Sequence, residues 1–137
     1  MNSQTTPRLT ISVRDARRLE ALIANPAFAD NETAELLAEE LARAELLEPQ
    51  DMPADVVTMN SSVTVLDETT GAERTVRVVY PNETGAVDCV SVLAPVGAAL
   101  LGLRAGDAID WPMPGDRTAR LRVTRVLYQP EAAGLPE

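Results

Sequence analysis

The chain has no histidine and no lysine, and its single cysteine is Cys89. Without histidine neither a Ser-His nor a Cys-His nucleophile pair can be built, and most zinc sites lose their usual ligands. One cysteine excludes a disulfide framework. Its place in Val87-Asp88-Cys89-Val90-Ser91-Val92-Leu93 reads as a small buried strand residue and not a reactive thiol. No catalytic residue, metal ligand or cofactor is expected. Aromatic residues are also scarce, at 3% of the chain. No stretch approaches the roughly 20 apolar residues of a membrane span, and Met1-Asn2-Ser3-Gln4-Thr5-Thr6-Pro7 lacks an apolar signal core. The expectation is a cytoplasmic protein with no membrane partner.

What is present is acid. Twelve basic residues, all arginine, stand against 21 acidic ones, giving a formal net charge of −9. That balance disfavours a protein that tracks nucleic-acid phosphates, and no direct nucleic-acid contact is expected; a basic protein surface is the better partner. A chain of 137 residues buries one real core and little more, so one principal domain with an appendage is expected, as a monomer.

The hydrophobic period divides the chain. Residues 1–8 read as a disordered N-terminus. Ser12-Val13-Arg14-Asp15 has the form of a capping box ahead of Ala16, Leu19, Leu22 and Ile23, and Asn25-Pro26 ends that first helix. A second helical pattern runs from about Glu32 to Leu47, with Leu37, Leu41 and Ala44 along its seam. The short connection makes the two helices antiparallel neighbours, a hairpin over residues 9–50. Arg17, Arg18 and Arg43, mixed with Glu20, Glu39, Glu40 and Glu45, read as a solvated helix surface.

From residue 53 to 137 the period is two. Strands are expected near Val56–Met59, Ser62–Asp67, Arg74–Tyr80, Asp88–Leu93, Asp107–Trp111 and Thr118–Tyr128, with turns at Thr70-Gly71 and Pro114-Gly115-Asp116. One helix interrupts them. Pro95 suits its first turn and Gly102 its left-handed end, while Gly97, Ala98 and Ala99 let it lie close on an antiparallel sheet.

Ala94 to Gly106 resembles the C-terminal domain of the Gre transcript-cleavage factors. Together with Asp55-Val56-Val57-Thr58-Met59-Asn60-Ser61, Tyr80-Pro81 and Tyr128-Gln129-Pro130-Glu131-Ala132-Ala133-Gly134, it is similar to a Gre-related bacterial family, the regulators of nucleoside diphosphate kinase. The resemblance implies an α+β fold, a short coiled-coil hairpin followed by a domain of the FK506-binding-protein type. It implies bacterial RNA polymerase as partner, through the secondary channel and the β′ subunit. Any effect on nucleoside diphosphate kinase is then indirect.

Two sets of residues would carry the contact. Gre factors present tip acids to the polymerase magnesium on a much longer hairpin; here the tip offers Asp30, Glu32 and Glu35. At about 24 Å for sixteen helical residues it stops short of that ion, which implies channel occupancy in competition with Gre factors, without efficient cleavage. The plain alternative is that these acids serve an exposed helix N-terminus. A true cleavage factor using the acidic tip remains open. The second set is Leu93, Ala94, Pro95, Val96 and Gly97, matching the Gre segment that sits on the β′ rim. Where Gre factors have an acid and a serine before the proline, this chain has Leu93 and Ala94, which removes polar specificity and leaves the apolar contact. Prolyl isomerisation would need an aromatic cage, and Phe28, Tyr80, Trp111 and Tyr128 are too few and too scattered for one.

Overall fold

The N-terminal arm returns on itself through two helices of equal length. In a computed structural model, which describes residues 9–86 and 88–134, strand β1 (Thr10–Ser12) leads into α1 (Val13–Ile23), a 3-10 turn at Pro26–Phe28, α2 (Glu32–Ala42) and strand β2 (Glu45–Leu47). The expected disordered segment 1–8 lies outside the described residues. Ser12 caps α1, its Oγ accepting the Asp15 N–H at 3.0 Å, and Asn25 caps the 3-10 turn through Ala27. Ala16 and Leu19 of α1 face Ala34, Leu37 and Leu41 of α2, all buried.

Helix two is shorter than its sequence pattern. The expected helix to Leu47 stops at Ala42, because residues 45–47 pair in parallel with β1, Thr10 opposite Glu45 and Ser12 opposite Leu47. Leu9 O already accepts the Glu45 N–H at 2.7 Å, so the backbone is committed to a strand at that point. Helix propensity yields here to tertiary pairing.

The remainder is a five-stranded sheet in the order β5-β4-β3-β7-β6, formed by β3 (Ser62–Asp67), β4 (Ala72–Val79), β5 (Cys89–Ser91), β6 (Ala108–Met113) and β7 (Arg117–Tyr128). Tight turns close two hairpins, with Gly71 at φ +81° and Gly115 and Asp116 at +84° and +58°. Those are left-handed values that glycine and aspartate tolerate. The sheet is not wholly antiparallel as expected: β5 runs parallel to β4, Arg77 opposite Cys89. The crossover from β4 to β5 makes that direction possible. Cys89 is half-buried on this edge strand.

Helix α3 (Pro95–Leu100) lies on the inner face, where Val63, Val65, Val76, Val78, Ile109, Trp111, Ala119, Leu121 and Val123 are buried. Gly97 has no room for a side chain, since a Cβ there would strike the Ser91 carbonyl. Val56–Met59, expected as a strand, makes only a single bridge from Val56 to Arg104. Its polar groups are satisfied one by one: Val57 N–H by Leu103 O at 2.8 Å, Thr58 N–H by Ser61 Oγ at 2.9 Å, Met59 N–H by an Asp15 oxygen at 3.3 Å. Asn60 at φ +68° then turns the chain out of any ladder.

The two halves share one core. Leu9, Ile11, Leu19 and Leu37 belong to the same buried cluster as Met59, Leu101 and Leu103. Gly102, at φ +84°, brings its backbone against Leu9, and its carbonyl accepts the Thr10 N–H at 3.2 Å.

Candidate functional site

At the bend of the hairpin, Asp30, Glu32 and Glu35 are all exposed. The capping work falls to Asn31, whose Oδ1 accepts the Ala34 N–H at 2.9 Å. None of the three carboxylates holds an ion pair or a side-chain hydrogen bond among the described residues. Glu32 and Glu35 stand in the first turn of α2, where free N–H groups favour negative charge. Among the described residues no three His, Cys, Asp or Glu side chains gather as a metal site.

The start of α3 divides into an inside and an outside. Leu93 and Gly97 are buried, while Ala94, Pro95 and Val96 are half-exposed. Ala94 occupies the N-cap without any side-chain hydrogen bond, and Pro95 takes the first helical position. The upstream loop is held by Ser91, whose Oγ accepts the Leu93 N–H at 3.0 Å and whose carbonyl accepts that of Ala94 at 3.0 Å. The surface on offer is therefore apolar, and its loop is tied down by Ser91. Of the arginines read as a solvated helix surface, Arg43 pairs with Glu40 at 2.7 Å, and Arg18 lies 4.5 Å over the Tyr80 ring.

A third constellation joins the hairpin to the sheet unit. Asp15 is 2% exposed and accepts the Met59 N–H across a separation of 44 residues. Burial first, then the Glu131 carboxylate, push Asp15 up to about 6, against the Met59 hydrogen bond and the charges of Arg18 and Arg14, which pull it down. Glu131 itself accepts the Thr58 hydroxyl at 2.8 Å, and Thr58 in turn lies 2.8 Å from Ser61 Oγ. The buried Tyr80 hydroxyl has no hydrogen-bond partner among the described residues, and burial together with the Asp15 charge raises its pKa. Gln129 closes the arrangement by donating to Pro53 O and Val56 O, both at 2.8 Å.

Sequence reading assigned Asp15 to a capping box and missed this junction. Only the Ser12 half of that box forms, because the Asp15 carboxylate turns toward Met59. The signal for the rest is slight: Thr58, Ser61 and Glu131 were visible as motif residues, but nothing local says that they meet.

Comparisons with known proteins follow the same two halves. Residues 52–128 match the family profile "Transcription elongation factor, GreA/GreB, C-term", and residues 7–47 match "Rnk N-terminus". The "Regulator of nucleoside diphosphate kinase" of Escherichia coli strain K12 is 46% identical over 129 residues, covering 93% of this chain and 95% of the relative. "Transcription elongation factor GreA" of Syntrophotalea carbinolica is 35% identical over 79 residues, 57% of this chain and 50% of that protein. Among solved structures, "Prokaryotic transcription elongation factor GreA/GreB from Nitrosomonas europaea" superposes with a TM-score of 0.72 at 42% identity, covering 90% of this chain and 100% of that one.

Proposed function

The chain belongs to the family of the regulator of nucleoside diphosphate kinase, with a Rnk N-terminal part and a GreA/GreB C-terminal part, and from that premise we propose that it binds bacterial RNA polymerase at the secondary channel. The family makes it a transcription-associated regulator. In this reading the sheet and α3 form a unit of the FK506-binding-protein type that docks on the β′ subunit through Ala94, Pro95 and Val96. Helices α1 and α2 pack as a short coiled coil that enters the channel and competes with Gre factors. No reaction is assigned to the chain, and its effect on nucleoside diphosphate kinase is indirect.

Hairpin length carries the reading. Each helix has 11 residues, so the arm extends roughly 16 Å at 1.5 Å per residue, less than the 24 Å its sequence pattern implied. In this reading Asp30, Glu32 and Glu35 enter the channel on an arm too short to reach the magnesium, and the 11-residue helices support it. One observation favours the cleavage-factor alternative: the three acids are exposed and, among the described residues, make no ion pair, as carboxylates that share an ion would need.

Transcript cleavage in backtracked complexes decides between them. A channel occupant leaves cleavage at its unassisted level, and Asp30→Asn with Glu32→Gln changes nothing. Strong stimulation by the wild type that the double variant abolishes makes this a cleavage factor. Co-purification with core polymerase, with and without a competing Gre factor, tests the docking itself.

A further inference from the structure

Strand alternation places Val65, Val76 and Val78 on the core face, with Ala119, Leu121 and Val123 beside them. Three charged positions on that face break the rule: Asp67, two residues after Val65, and two arginines. Arg74 stands opposite Val65, and Arg117 lies two residues before Ala119, so both project from the side of the sheet that α3 covers. There they border a cavity of about 220 Å³ floored by Val65, Val96, Met113 and Leu121.

The two arginines outnumber the one acid beside them, Asp67. Neither makes an ion pair or a side-chain hydrogen bond among the described residues. On the outward face of β7, by contrast, Arg120 and Arg122 are paired with Glu68, at 3.1 and 2.6 Å, and Arg120 also with Asp110 at 3.2 Å. Asp67 also borders the cavity, but its Oδ1 accepts the Thr69 N–H at 2.9 Å, and the rim keeps a net positive charge. In a chain of net charge −9 this is a local inversion of sign.

We propose that this cavity, continuous with the α3 docking surface through Val96, is the specificity pocket for the partner: it receives an apolar side chain flanked by a carboxylate that Arg74 and Arg117 bind. The proposal rests on polymerase binding as read above and names the chemistry of the segment that docks. Apolar floor and cationic rim divide the recognition. The floor rewards burial, and guanidinium pairs with a carboxylate through its planar fork. The polarity that Leu93 and Ala94 remove from the docking segment is thereby supplied by the pocket beside it.

The test is equilibrium binding of the full chain to core RNA polymerase across a salt series. Arg74→Glu and Arg117→Glu each weaken binding about tenfold or more at low salt, and the deficit shrinks as salt rises. Arg125→Glu, an equal charge change on the opposite face beside Thr64 and Glu73, leaves affinity unchanged. Ala72→Phe fills the cavity and weakens binding at every salt concentration. Thermal melts within a few degrees of wild type certify that each variant is folded. If wild type binds and the pocket variants bind as well as it does, or if Arg125→Glu is as damaging as they are, the pocket assignment falls while the polymerase reading stands. Should wild type itself fail to bind, both fall.

Discussion

Asp15 sits third in α1 and spends its carboxylate on a distant backbone, at a cost that depends on pH. Its ordinary pKa of 3.8 rises to about 6 in the fold. Between those values the folded state holds a proton that the unfolded chain releases, so stability falls as pH climbs and the full penalty is present above pH 6. Asn keeps the acceptor for Met59 and removes the charge. Asp15→Asn is therefore expected to match wild type below pH 3.8 and to become more stable by up to about 3 kcal/mol above pH 6, read by denaturant unfolding at a series of pH values. An advantage that is constant across pH would refute the assignment. Glycine matters at a different kind of residue. Gly97→Ala meets the Ser91 carbonyl, and α3 would have to lift from the sheet.

At the scale of the element, α3 holds both a surface and a core. Pro95→Asp places a charge at a half-exposed first helical position, where an acid is well tolerated by the free N–H groups of the turn. The expected result is weakened polymerase binding with an unchanged melt. Leu100→Ala acts oppositely. Leu100 is fully buried, so the cavity should cost roughly 2–5 kcal/mol, while polymerase affinity of the folded fraction stays near wild type. If Pro95→Asp binds as well as wild type, Ala94-Pro95-Val96 is not the contact. Elements with their own punctuation were legible in the sequence for this reason. Pro95 and Gly102 bracket α3, Gly71 and Gly115 close the two hairpins, and Ser12 caps α1, each acting within a few residues of itself. Residues 45–47 carried no such mark. Glu45-Leu46-Leu47 continues a helical pattern, and only β1 makes it a strand.

For the whole molecule, the shared core decides how the halves behave apart. The hairpin's largest buried side chains, Ile11, Leu19 and Leu37, lie in one cluster with Met59, Leu101 and Leu103 of the sheet unit. Two 11-residue helices are below the length that is stable alone in water. Residues 9–49 in isolation are expected to show no cooperative melt by circular dichroism. Residues 53–137, which own the five-stranded sheet and α3, are expected to fold, at reduced stability because Gly102 and Met59 lose their cover from Leu9 and Asp15. A cooperative transition from the hairpin fragment would mean that the arm is an independent domain.

Local physics wrote much of this protein into the sequence: where helices begin, which strands alternate, and which turns need a positive φ. The tip acids and the Pro95 segment were readable there because exposure and helix starts are properties of short stretches. Tertiary structure alone decided the length of α2, the parallel β5 edge, the fate of Val56–Met59, and the meeting of Asp15 with Thr58, Met59 and Glu131. It also decided that Arg74 and Arg117 share a cavity. Each of these depends on partners tens of residues away, and a buried charge or an open strand edge takes its energy from whatever surface arrives to cover it.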